Sequence, residues 1–222
     1  MAFNLLKSFI QPEYLPLLKY ANPKVLKIMS WDKPIQFMKG LSRSPDSALE
    51  KGLKLGTNEK NNALLQAYFY QIHSLPTWSL EFSFEHLTSE NGETQLWKPE
   101  GFFFKPSETF RKGLSDLYQG YYESETEQFE MSLKSIGLLE AKDIMMDHFG
   151  NDGSRKIIFN AQALSNTIDK LAERAIDRNI QLDENFLAFG IMLLTLYNHL
   201  SQDQTPVDVK SIYLQSRKLS PQ

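Results

Sequence analysis

Cysteine is absent from the 222 residues, which excludes disulfides, thiol nucleophiles and thiolate metal sites. Histidine is scarce and scattered: His73, His86, His148 and His199 lie far apart, and none has a second histidine three or four residues away. A histidine metal site would need the fold to collect them, so no metal is expected. Phosphate-binding signatures are missing as well. There is no Walker A motif and no G-x-G-x-x-G, and the GLKLG of residues 52–56 lacks a Gly-Lys-Ser/Thr in frame. No G-x-S-x-G elbow supports Ser-His-Asp chemistry. The net charge of −3 gives no general attraction to nucleic acid. The longest apolar-rich run, 186–197, is about half of what a membrane span needs. The opening MAFNLLKSFIQPEY lacks both the basic start and the long apolar core of a signal peptide. These absences read as a cytoplasmic protein without a transmembrane segment.

What is present is ordinary globular material, with 41% hydrophobic and 23% charged residues. The length suits one sizeable domain or two small ones. Residues 1–41 are punctuated by Pro12, Pro16, Pro23 and Pro34 and read as short helical pieces. Leu5, Leu6, Phe9 and Ile10 form one apolar cluster, and Val25, Leu26, Ile28 and Met29 form another ahead of Trp31. The first cluster suits packing on the domain, with peripheral membrane contact as the alternative. Residues 42–62 are polar and read as a flexible linker, with 47–55 able to hold a short helix. The main domain is 63–215, and 216–222 reads as a frayed tail.

Within the main domain, 63–72 (ALLQAYFYQI) reads as a helix capped by the preceding asparagines and stopped near Pro76. The period then changes: Trp78, Leu80, Phe82 and Phe84 alternate with Ser79, Glu81, Ser83 and Glu85, as in a strand. Asn91-Gly92 is a hairpin turn signal, 94–98 the return strand and 102–104 a third short strand. Two helices follow around an acidic turn. Phe110, Leu114, Leu117, Tyr118 and Tyr121 line one face of the first, with Ser107 as N-cap and Glu108 favourable to the dipole. Ser124 and Glu127 have capping-box spacing for the second, which buries Phe129, Leu133 and Ile136 and ends at Gly137. Residues 141–149 form a short helix, Asn151-Asp152-Gly153 a turn, and 161–178 a long helix burying Leu164, Ile168, Leu171, Ala172 and Ala175. Asp183 caps a helix over 184–200 that is apolar nearly all round and therefore reads as the central buried helix. One more helix is expected over 207–214. The fold class is mostly α with one small antiparallel β-hairpin or meander (α+β) at about 78–104.

Chemically suggestive side chains mostly have plain explanations. Asp143 and Asp147, one turn apart near His148, would make at most a weak divalent site and suit a solvated acidic face. Glu123, Glu125, Glu127 and Glu130, like Arg111 and Lys112, read as surface. Trp78, Phe82, Trp97, Tyr118 and Tyr121 would line a pocket if the helices enclose one for an apolar molecule.

LLQAYFYQI (64–72), ENGETQLW (90–97), KPSETFRKGLSDLY (105–118), IGLL (136–139) and IQLDENFLAFGIMLLTLYNHLS (180–201) follow one another in an order that resembles the C-terminal lobe of the UbiB/AarF family of atypical, protein-kinase-like proteins. The resemblance covers about two thirds of the chain and implies a helical domain like a kinase C-lobe. The family's HADPHPGN loop would fall near 80–87, where this chain reads LEFSFEHL, and its DFG near 99–102, where only Glu100 stands in for the metal-binding aspartate. The nucleotide-binding lobe with its lysine and KxGQ motif has no match. Phosphoryl transfer needs a positioned nucleotide, a metal and a base. No catalytic residue carries over, and no cofactor is expected. The function expected is that of a non-catalytic binding or regulatory protein, a pseudokinase-like lobe acting through a protein partner or a hydrophobic ligand. The alternatives are residual nucleotide binding around Glu81, Glu85 and Glu100, and a helical carrier of an apolar small molecule.

Overall fold

The computed structural model describes residues 29, 32–45, 47–90, 92, 94–149, 156–180 and 182–219. The Leu5–Ile10 cluster, most of the 25–31 cluster, Pro12, Pro16, Pro23, Asn91 and the 151–153 turn lie outside them. The described chain opens with α1 (Asp32–Lys39), β1 (Leu41–Ser42), α2 (Ser47–Glu50) and β2 (Leu53–Leu55). Helix α3 (Lys60–Ser74) leads to β3 (Trp78–Ser79), β4 (Leu87–Glu90), β5 (Thr94–Trp97) and β6 (Phe103–Phe104). Then come α4 (Glu108–Tyr122), α5 (Thr126–Ser135), α6 (Lys142–Phe149), β7 (Lys156–Ile157), α7 (Ala161–Asp177), α8 (Glu184–Leu200), β8 (Val207–Asp208) and α9 (Val209–Ser216). The strands form small antiparallel sheets in the orders β1-β6-β3, β2-β5-β4 and β7-β8. The chain is mostly helical with a small β part, as its sequence implies.

Helix α3 is the centre. Every residue from Ala63 to Ile72 is buried, glutamines included. Those glutamines are satisfied by the surrounding elements. Gln71 accepts from the Ser79 N–H at 3.0 Å and donates to the Ser79 carbonyl at 3.2 Å. Gln66 accepts from the Gly56 N–H and donates to Gln215 Oε1, both at 2.9 Å, tying the exit of β2 and α9 to the centre. A buried polar group left unpaired costs about 1–3 kcal/mol, so these bonds fix where β2, β3 and α9 sit.

Several elements differ from the sequence expectation. The central buried helix is α3, because α8 buries only one of its two apolar faces. The alternating run 78–85 is not one strand. Only Trp78–Ser79 pairs with β6, residues 84–86 form a 3-10 turn, and the hairpin is built from β4 and β5. The backbone of 80–82 is held by a helix side chain: Thr195 Oγ1 donates to the Leu80 carbonyl at 2.9 Å and accepts from the Phe82 N–H at 3.2 Å. Residues 42–62 are not a free linker, since β2 pairs with β5 and Leu53 and Leu55 are buried. Helix α3 starts at Lys60 after Glu59, whose side chain makes no cap bond, so Asn61 and Asn62 lie inside the helix. Ser124 adopts φ +65°, and α5 begins after Glu125 without a capping box. In the tail, Ser216 is buried and Arg217 pairs with Glu123 at 2.5 Å.

Other expectations hold. Ser107 accepts from the Phe110 N–H, Asp183 accepts from the Asn185 N–H, and Gly137 takes φ +76° beyond α5. Helices α4 and α5 pack closely because α4 presents Gly113 and Gly120, two turns apart. A Cβ at Gly120 would lie 2.5 Å from the Phe129 backbone nitrogen, and one at Gly113 would meet the Ile136 and Ser135 side chains. The seam thus needs glycine where backbone meets backbone. Gly120→Ala is expected to destabilise the protein by about 2 kcal/mol or more. Gly113→Ala should cost less, because side chains turn aside. Urea midpoints of the two variants check the order.

Candidate functional site

The sequence of α8, ENFLAFGIMLLTLYNHL, carries two apolar faces. Leu187, Ala188, Ile191, Met192 and Leu196 are buried, with Thr195 among them clamping the 80–82 segment. Phe186, Phe189, Gly190, Leu193 and Leu194 recur at i, i+3, i+4, i+7 and i+8 and are only half-buried. Opposite this second face, α7 presents Leu164, Ile168, Leu171, Ala172 and Ala175, and α6 presents Met145, His148 and Phe149. The facing stripes do not close. They border an apolar groove with a cavity volume of about 100 Å³, partly enclosed and partly open to solvent. Its floor is lowered by Ala141, Ala172, Ala175 and Gly190, and a Cβ built on Gly190 would meet nothing within 4 Å. Being partly open, the groove suits a ring or short chain seated in its enclosed part, with the rest of a larger apolar molecule in the open mouth.

A two-pronged ion pair fixes the helix that forms the outer wall. Arg174 of α7 donates to both carboxylate oxygens of Asp143 at 2.9 Å and to the Glu140 carbonyl at 2.6 Å. The Arg174 hydrogen bonds hold the Asp143 carboxyl below its usual range. Arg174 near the end of α7 meets Asp143 near the start of α6, and Phe159, just before α7, packs on Tyr197 beside His148 near the end of α6, so the two helices run antiparallel. His148 of α6 and Thr167 of α7 therefore lie toward the same end of the groove.

That end adjoins a buried cluster of tyrosines. Tyr118 OH and Tyr68 OH share a hydrogen bond of 2.5 Å, and Tyr197 OH lies 3.4 Å from His148 Nε2. Tyr118, His148, Phe149 and Leu193 border both the groove and a second chamber of about 50 Å³. Burial pushes the Tyr68, Tyr118, Tyr122 and Tyr197 hydroxyls up, so they stay protonated. Burial likewise lowers His148 to about 4, so its ring is neutral at pH 7.

Of the five aromatics expected around a pocket, Tyr118 borders the groove and the others do not. Trp78, Phe82 and Trp97 are fully buried core, with Phe82 and Trp97 stacked at 5.5 Å and 7°. They sit in the small sheets and the 80–82 segment, and none of them borders the groove or the second chamber. Tyr121 stacks on Phe149 and donates to the Phe149 carbonyl at 2.8 Å. The carboxylates Glu81, Glu85 and Glu100 border neither the groove nor the chamber, and Glu81 lies over Gly101 while Glu85 and Glu100 are exposed. Asp143 is engaged by Arg174 and His148 faces inward, so they do not form a divalent site with Asp147. Among the described residues, no group of three His, Asp or Glu side chains is placed to hold a metal ion. Nor is any helix among them long and apolar enough to cross a membrane.

The groove residues were visible in sequence as the stripe of α7 and the all-round apolar pattern of α8. A helix buried on every side and a helix with one face left open read alike. Gly190 was the remaining signal, since a mid-helix glycine is unfavourable without a reason. Comparison with family models, with curated proteins and with solved structures gives no match.

The neutral histidines set the response to acid. His73 is lowered to about 4, chiefly by burial and then by Arg217, against an opposing contribution from Asp116. Unfolded, His73 and His148 take up protons near pH 6.5, whereas the folded forms resist until about pH 4. Between these values the unfolded state binds more protons, so this contribution to stability falls as pH drops through that window and is flat above it. The urea midpoint is expected to fall from pH 7 to pH 5. In a His73→Gln/His148→Gln variant that fall should be smaller.

Proposed function

We propose that the protein is a non-catalytic binding protein that takes an apolar small molecule in the groove between α6, α7 and α8. The observation that carries this is Gly190, in the middle of a helix and facing the open space. A glycine there costs about 1 kcal/mol relative to alanine. Nothing in the packing of the described residues requires it, since a Cβ would meet none of them within 4 Å. Its effect is to keep the groove deep. The apolar lining on both walls supports the same reading, because ligand sites are concave, mostly apolar and carry few polar groups. The likeness to a UbiB/AarF lobe enters as that of a scaffold, with Glu81, Glu85 and Glu100 away from the lining of this groove.

The test uses Nile red, an uncharged dye whose emission rises in apolar surroundings. Wild-type protein is expected to bind it with enhanced emission. Gly190→Leu should weaken binding at least tenfold while the melting temperature stays level or rises, because the substitution removes a helix-interior glycine. Equal binding by the two proteins would overturn the assignment of the groove. Mg-ATP should leave the melting temperature unchanged. A clear rise would favour nucleotide binding, since a ligand of the folded state stabilises it by mass action.

A further inference from the structure

We propose that the groove selects uncharged molecules that carry one hydrogen-bonding head, and holds that head at the end marked by His148, Tyr118 and Thr167. The inference rests on the apolar-ligand reading and goes on to specify the chemistry of the ligand. Among the described residues that border the groove, none is Lys, Arg, Asp or Glu. The nearby ions Arg174 and Asp143 satisfy each other on the outside of α6 and α7. An ionised head drawn into the groove would lose its hydration and find no counter-charge, a loss that no apolar contact offsets.

The polar groups of the lining are neutral and gathered. Tyr118, His148 and Thr167 are the side chains among the described lining residues that form hydrogen bonds, and the antiparallel run of α6 and α7 brings the last two to one end. Each has capacity beyond its present partner. Thr167 Oγ1 donates to the Ala163 carbonyl at 3.1 Å and keeps its oxygen as an acceptor. The His148–Tyr197 contact is long at 3.4 Å, near the limit for a hydrogen bond, so the ring gains by meeting a better partner. The tyrosine pair of Tyr118 and Tyr68 can accept a further donor on either oxygen. The opposite end of the groove offers Leu138, Ala141, Ala175, Ile180 and Leu182, which suit only hydrocarbon. A ring or short chain with an alcohol, ketone or amide head matches both ends. The neutral state of His148 at pH 7 agrees with this, since a charged imidazolium would have favoured a carboxylate instead.

The experiment is displacement of Nile red from the full chain at pH 7.5 by 1-octanol and by octanoate, which share a chain length and differ in charge. Octanol is expected to displace the dye at least twentyfold more effectively. Thr167→Lys, which brings an ammonium to the polar end from a half-exposed position, should improve octanoate at least fivefold relative to octanol. Equal displacement by acid and alcohol overturns the selectivity while the ligand reading stands. No gain for octanoate in Thr167→Lys overturns the placement of the head. Failure of Nile red to bind wild-type protein overturns the ligand reading, and this inference with it.

Discussion

Burial of α3 on every side is the constraint from which the remaining structure follows. A helix with no solvent-facing side needs neighbours all round, and its two glutamines need partners inside those neighbours. Gln71 draws Ser79 against the helix, and Gln66 draws the exit of β2 and helix α9. Around it the aromatic rings of Tyr68, Phe69, Tyr118, Tyr122 and Tyr213 meet edge to face at 5–6 Å, the arrangement that ring electrostatics favours.

Helix α8 contributes one face to this core and has apolar side chains on the other. That second face is covered only in part by α7 and α6, which leave a groove with a cavity of about 100 Å³ between them. Beginning to fill the space would have needed only one more carbon, because a Cβ at position 190 meets none of the described residues within 4 Å. The protein instead keeps glycine there, and small residues at 141, 172 and 175 on the facing wall. The polar cluster of Tyr118, His148 and Tyr197 then closes one end of the opening with uncharged hydrogen-bonding groups.

The sequence made the helices legible wherever period and cap agreed. The span of α7, the Asp183 cap of α8 and the Ser107 cap of α4 could all be read from residue type and spacing. What could not be read was which apolar surface ends up covered. The alternation of 78–85 describes side chains pointing in and out, yet beyond the Leu80 N–H, which bonds to the Phe102 carbonyl, it is Thr195, more than a hundred residues away, that takes the Leu80 carbonyl and the Phe82 N–H. Polar residues 42–62 looked like a linker because the buried positions Leu53 and Leu55 are few, and their pairing with β5 is a long-range contact. Three of the expected pocket aromatics, Trp78, Phe82 and Trp97, were drawn from the β region, where the large rings are fully buried in the core. A groove arises where small residues face each other, a signal that hydrophobicity does not register.

The claim that α8 keeps an apolar face open for a ligand is tested most directly by a crystal structure under xenon pressure. Xenon enters dry apolar cavities without needing a polar partner. The account predicts a xenon atom beside Gly190, in contact with Leu171 and Phe189 and absent in Gly190→Leu. Crystals with no xenon there, and with the side chains of α7 and α8 collapsed onto each other, would contradict it.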